Sequence, residues 1–175
     1  MGGDRASLEL LDEQLSTVGA AMTVNVLELA PTLLASEAVR ILTEAGIAGA
    51  PVVEDGRVVG IITLRDLLDR EGHGAAQVMT GPFLRADRQL GPLRVADVMT
   101  RDVFTAREDW PLSRAILLMD DAGVNRLPVV DREDRPIGIL ARDDVLRAVA
   151  MALREMAAAR AERASRPDWT VLEAD

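Results

Sequence analysis

Gly60-Ile61-Ile62-Thr63-Leu64-Arg65-Asp66 is answered later in the same chain by Gly138-Ile139-Leu140-Ala141-Arg142-Asp143-Asp144, and the segments leading up to each stretch match as well. Met22-Thr23 returns as Met99-Thr100, Ala45-Gly46-Ile47 as Ala122-Gly123-Val124, and Pro51-Val52-Val53 as Pro128-Val129-Val130, all at an offset of 77 residues. From Gly60 against Gly138 onward the offset is 78, so one residue has been added in the turn between the Val-rich segments. A tandem repeat of this size means that neither unit covers its apolar face alone. The space between pseudo-equivalent units is then a natural ligand cleft.

Within each repeat, hydrophobic spacing gives the elements. In the first, from Val18 to Arg70, Leu34, Ala38, Ile41, Leu42 and Ala45 form one helical stripe that Gly46 ends. Ala50 to Val53 reads as a strand, Glu54-Asp55-Gly56-Arg57 as a hairpin turn, and Val58 to Ile62 as the returning strand. A second helix follows Thr63. The second repeat, from Arg94 to Val149, repeats this order, with Asp109 as a candidate cap and Pro111 in the first turn of its first helix. Its last helix is expected to continue from Asp143 to about Ala164, because Val145, Leu146, Val149, Leu153 and Met156 keep a spacing of three and four. The expected organisation is an N-terminal extension at 1–17 with a short Ser7–Leu15 helix, repeat one at 18–70, a Gly- and Pro-containing linker at 71–93, repeat two at 94–149, and a C-terminal helical extension and tail at 150–175.

Composition excludes several function classes. The 175-residue chain is 49% hydrophobic, carries a formal charge of −9 and has no cysteine. That charge, with four aromatic residues (Phe83, Phe104, Trp110 and Trp169), argues against nucleic acid as a partner. No stretch approaches the roughly 18 apolar residues of a membrane span, and no secretory signal is visible, so a cytoplasmic protein is expected. Catalytic patterns are absent: there is no Gly-x-Ser-x-Gly elbow, no His-Glu-x-x-His and no phosphate loop ending in Gly-Lys-Ser/Thr. The sole histidine, His73, stands in the linker without a partner. The chain is therefore read as a non-enzyme with no catalytic residue, no metal site and no catalytic cofactor.

The two copies of a Met-Thr opening, a helix ending at Gly-hydrophobic, a Pro-Val-Val strand and a Gly-Ile-hydrophobic-Thr-x-x-Asp close resemble a pair of cystathionine-β-synthase (CBS) domains over residues 18–149. The resemblance implies an α/β (α+β) fold: two β-α-β-β-α repeats packed about a pseudo-twofold axis, here with a short N-terminal helix and a long C-terminal one. It also implies two clefts for adenosine-containing ligands such as AMP, ADP, ATP or S-adenosylmethionine, and a regulatory role toward a separate effector protein. Thr63 would cap a helix whose free amides favour an anion, its hydroxyl adding a donor to phosphate, and Asp66 or Asp144 would accept from ribose hydroxyls. Arg65 is a further candidate cation. Asn125 and Arg126 stand where the family places phosphate-contacting residues, while repeat one has Ala48 and Gly49 there. In the family the opening segment of one repeat completes the cleft of the other. Phe104 and Thr105 would thus join Thr63 and Asp66, and Leu27 and Glu28 would join Asp144. Unequal sites follow, with Asp66 expected to bind more strongly than Asp144, which has Ala141 in place of the cap. A scarcity of cations favours AMP or ADP over ATP as the regulatory ligand. The rival reading is an oligomerisation scaffold with vestigial clefts. The extended final helix needs a further surface to cover its stripe and predicts a homodimer. The alternative cover is the Leu8, Leu11 and Leu15 side of the N-terminal helix within one chain, which would leave a monomer.

Overall fold

The computed structural model describes residues 16–69 and 92–165. The expected Ser7–Leu15 helix, His73, most of the linker and the tail after Ser165 lie outside the described residues. In chain order the elements are α1 (Val18–Ala21), α2 (Ala35–Glu44), β1 (Gly49–Glu54), β2 (Arg57–Thr63), α3 (Leu64–Asp69), α4 (Val95–Val98), α5 (Leu112–Asp121), β3 (Arg126–Val130), β4 (Pro136–Ala141) and α6 (Arg142–Ser165). β1 pairs antiparallel with β2 and β3 with β4. The first hairpin closes through Asp55 and Gly56, both at positive φ, the geometry whose twist suits a two-residue connection. The second accommodates its extra residue by looping around Asp131, whose Oδ1 accepts the backbone N–H groups of Glu133 and Arg135 at 3.0 and 2.9 Å.

The opening segments are exchanged between the repeats. Thr23 bridges Ile139 of the second repeat, and Thr100 bridges Ile61 of the first. The chain then crosses back: Leu29 bridges Val52 and Ala106 bridges Val129, each within its own repeat. Each opening segment is shared between two sheets in this way, so it forms isolated bridges where the sequence alone suggests an extended strand. Every one of these contacts has a mate in the other repeat, the relation that a pseudo-twofold axis imposes.

The cores follow the same exchange. Val95, Val98 and Met99 are buried with Leu42, Val52, Ile62 and Leu67 of repeat one. Val18 is buried with Leu112, Leu127, Val129 and Leu140 of repeat two. The conserved register of Met-Thr against Gly-Ile now has a physical cause. Met99 passes so close to Gly60 that a β-carbon there would lie 2.5 Å from its sulfur, and Met22 stands 2.5 Å from the corresponding point at Gly138. Only glycine leaves room for the crossing chain.

The first helix of each repeat is capped from outside. The Ala35 N–H donates to the Leu93 carbonyl at 2.8 Å and the Leu112 N–H to the Ser16 carbonyl at 3.2 Å. The expectation that Asp109 caps α5 is corrected: Pro111 is the N-cap residue and no side chain bonds there, because the exchanged segment already supplies the acceptor. α6 runs from Arg142 to Ser165, as its spacing predicts, and Leu146, Leu153 and Met156 are 61%, 60% and 49% exposed. Val149, expected on that outer stripe, packs against the second core.

Candidate functional site

Each repeat ends its second strand at a helix start, and the two corners are built alike. At the first, the Leu64 N–H donates to the Ala48 carbonyl at 2.9 Å; at the second, the Arg142 N–H donates to the Asn125 carbonyl at 3.0 Å. These bonds tie the helix to the start of the neighbouring strand and place a carboxylate one turn into each helix.

The side chains then diverge. Asp66 Oδ2 accepts from the Thr63 N–H and from the Thr63 hydroxyl, both at 2.8 Å, and Thr63 Oγ1 accepts the Asp66 N–H at 3.2 Å. This is a closed reciprocal cap. In this arrangement the Thr63 hydroxyl donates to Asp66 while its oxygen also accepts the Asp66 N–H. At the second corner, Asp144 Oδ2 accepts the Ala141 N–H at 2.9 Å, and alanine returns nothing. Asp144 Oδ1 instead accepts from Arg147 at 2.9 Å. Asp144 is the more enclosed carboxylate, 7% exposed.

The other expected site residues are distributed unevenly. Arg126 begins β3 directly across the ladder from Ala141 and is half-buried, with Asn125 exposed beside it. Arg65 is exposed on α3. Phe104 is 49% exposed, and with Thr105 it immediately precedes Ala106, at the β3 edge of its own repeat. Leu27 packs against the first core and Glu28 is exposed beside the Leu29 bridge to Val52. Among the described residues, neither Phe104 nor Thr105 hydrogen-bonds to Thr63 or Asp66, and neither Leu27 nor Glu28 to Asp144.

A hollow of about 340 Å³ opens beside Asp144, between α1 of the first repeat and α6 of the second. Ser16, Ala20 and Ala21 form one wall; Asp144, Arg147, Ala148, Met151, Ala152 and Glu155 form the other. Small-molecule sites begin at about this size. Sequence reading missed the α1 wall. Its signal was present in the small Ala20 and Ala21 before Met22, but only the exchange of opening segments brings them to Asp144.

The comparisons with known proteins agree with this architecture. The CBS domain family matches residues 18–72 and 95–151, and the chain belongs to that family as a CBS pair, a regulatory, non-catalytic fold. It is 32% identical over 145 residues to the uncharacterized protein MJ1225 of Methanocaldococcus jannaschii, covering 82% of this chain and 50% of that one. It is 33% identical over 144 residues to inosine-5'-monophosphate dehydrogenase of the same organism, covering 78% of this chain and 25% of the enzyme. The chain thus spans half or less of these curated relatives. Among solved structures, CBSX2 in complex with AMP superposes with a TM-score of 0.63 at 30% identity, covering 77% of this chain and 96% of CBSX2. The CBS domain pair of MJ0100, in complex with 5'-methylthioadenosine and S-adenosyl-L-methionine, superposes with a TM-score of 0.62 at 26% identity, covering 78% and 97%. Adenosyl ligand binding is therefore a property of CBS relatives. Among the described residues no helix is long and apolar enough to cross a membrane.

Proposed function

We propose that this protein is a regulatory module that binds an adenine nucleotide, AMP or ADP in preference to ATP, and signals its occupancy to a separate effector protein. The observation that carries the reading is the enclosed Asp144 beside the hollow. A carboxylate fixed on the first turn of a helix, one oxygen on the strand end and the other on Arg147, is a ready acceptor for ribose hydroxyls, and the hollow beside it spans both repeats. A ligand there touches α1 and α6 together and so reports on how the repeats sit against each other. The preference for fewer phosphates follows from charge: Arg126 and Arg142 are the cations at this corner that no carboxylate pairs among the described residues, and each further phosphate charge left unmatched adds desolvation without return. A cytoplasmic location, where adenine nucleotides are plentiful, goes with this reading.

A thermal-shift panel of AMP, ADP, ATP, NAD and S-adenosylmethionine on the whole chain tests it. A ligand at 100 times its dissociation constant adds about 2.7 kcal/mol of stability. No shift across the panel would remove the binding role and leave the oligomerisation scaffold. The unpartnered outer face of α6 supports that second reading, and under either one the protein is proposed to be a homodimer.

A further inference from the structure

The outer side of α6 follows a seven-residue repeat. One row holds Asp143, Ala150 and Ala157; a second, three residues further on, holds Leu146, Leu153 and Arg160. Positions spaced alternately by three and four lie along one side of a helix and form the seam of a coiled coil. All six residues are exposed. Val145 and Val149 of the same helix pack against the second core, so the body of the repeats covers a different side. The seam is read here as a pattern with a large, a small and a charged class of residue, and each class constrains what can lie against it.

A second copy of the same helix satisfies all three classes in one orientation. In a parallel pair each residue meets itself: leucine layers alternate with alanine layers that leave space unfilled, Asp143 faces Asp143 and Arg160 faces Arg160. In an antiparallel pair with Ala150 opposite Leu153, the same register sets Leu146 opposite Ala157 and Asp143 opposite Arg160. Every apolar layer then joins one large and one small side chain, which packs evenly, and an ion pair closes each end. Neither Asp143 nor Arg160 is in an ion pair among the described residues. Exposed ion pairs add little affinity, but opposite charges in register select the orientation. Beside the seam lie Met156 on one flank and Arg147 and Arg154 on the other, and the Arg147 charge is already engaged by Asp144.

We propose that α6 pairs antiparallel with α6 of a second copy of this chain, leucine on alanine, with Asp143 of each copy paired to Arg160 of the other. The inference rests on the homodimer reading above and specifies its surface, orientation and register. The pairing also brings the Arg160 end of one helix to the helix start that carries Asp144 in the other copy.

Because the chain has no cysteine, introduced cysteines on the full chain report the pairing without background. Oxidation of the double variant Leu146→Cys/Ala157→Cys should give a covalent dimer, and neither single variant should cross-link. In the antiparallel register, equivalent positions of the two copies are about 16 Å apart along the axis at about 1.5 Å per residue, whereas a disulfide needs Cα atoms within roughly 7 Å. Charge exchange is the second arm. Arg160→Asp should weaken the dimer about ten-fold in sedimentation equilibrium, and adding Asp143→Arg should restore it to within about three-fold. Circular dichroism shows that each variant keeps its helix content. Cross-linking of Leu146→Cys alone would mean a parallel pair. A double-cysteine variant that is dimeric under reducing conditions yet does not cross-link, or a second charge exchange that rescues nothing, would place the interface elsewhere. Each of these results overturns the seam and leaves the homodimer intact, whereas a monomeric wild type would overturn the homodimer reading and this inference together.

Discussion

Individual residues show most directly how the repeat pattern is enforced. Gly60 and Gly138 lie beneath Met99 and Met22, each from the other repeat. Gly60→Ala places a methyl group 2.5 Å from the Met99 sulfur and 3.1 Å from the Thr100 carbonyl oxygen, and overpacking of this kind costs about 1–3 kcal/mol. Met99→Ala alone opens a cavity, but in the Gly60→Ala background it also relieves the clash. The double variant should therefore be more stable than the sum of the two single losses, a coupling that urea denaturation of all four proteins measures. Strict additivity would show that the approach of Met99 to Gly60 is not a tight contact. Asp144→Ala is a second test at this scale. It removes the acceptor for the Ala141 N–H and leaves Arg147 without its carboxylate. AMP affinity should fall by the amount of a charged hydrogen bond, about 1.5–3 kcal/mol. The sequence comparison alone favours Asp66 as the stronger site, through its Thr63 partner. The proposed reading instead favours the enclosed Asp144 beside the hollow, so a larger loss of AMP affinity from Asp66→Ala would restore the Asp66 order.

Elements were readable in the sequence to the extent that their cause is local. The Gly46 stop, the Asp55-Gly56 hairpin and the full length of α6 depend on neighbours within a few positions, and the structure places them where the spacing does. The buried face of α2, by contrast, is turned from the expected stripe: Ala35, Ala38, Val39 and Leu42 are buried, while Leu34 is 41% exposed and Ala45 is exposed. The caps of α2 and α5 were not readable, because their acceptors are the Leu93 and Ser16 carbonyls of distant segments. The second hairpin is an element with its own electrostatic signature. The backbone N–H of Arg135 holds the Asp131 carboxyl below its ordinary range, against the opposing effect of desolvation and helped by the Arg135 side chain and the Glu133 N–H. A depressed folded-state value stabilises the turn at pH above the unfolded carboxylate value, and that stabilisation disappears as pH falls through the folded one. Thermal melts from about pH 6 to about pH 3, which bracket the ordinary carboxylate range, should show a steeper loss for the wild type than for Asp131→Ala. Parallel acid profiles would mean that the turn carries no linked proton. The same argument locates the inserted residue: it lengthens the loop that Asp131 organises.

At the scale of the whole molecule, the exchange of opening segments was hidden for a reason of symmetry. A repeat of offset 77 looks the same in one dimension whether each Met-Thr returns to its own Gly-Ile or to that of the other unit. Only the folded chain distinguishes the two arrangements, and it selects the crossed one, joining the repeats into one cooperative body. What remains unpaired is the far end of that body. Leu146, Leu153 and Met156 lie along α6 on the side away from the hollow lined by Asp144 and Met151, and all three are about half exposed or more. From Leu153 to Arg163 every residue of α6 is exposed, and isolated helices of that length are marginal in water. In the proposed homodimer a second copy of the chain would supply the missing surface. A twofold arrangement buries the same stripe in both copies at once and closes on itself, with about 1.5–3 kcal/mol for each side chain of this size removed from water. The protein should therefore be a homodimer at tens of micromolar by light scattering, on the order of the concentrations where such interfaces form. Truncation after Ala150 removes Leu153 and Met156, along with Met151, Ala152 and Glu155 of the hollow, and should give a monomer that keeps the fold of the repeats. A monomer in both constructs would rule out the dimer. A dimer that survives the truncation would place its interface on the body of the repeats and leave the outer face of α6 to the effector protein.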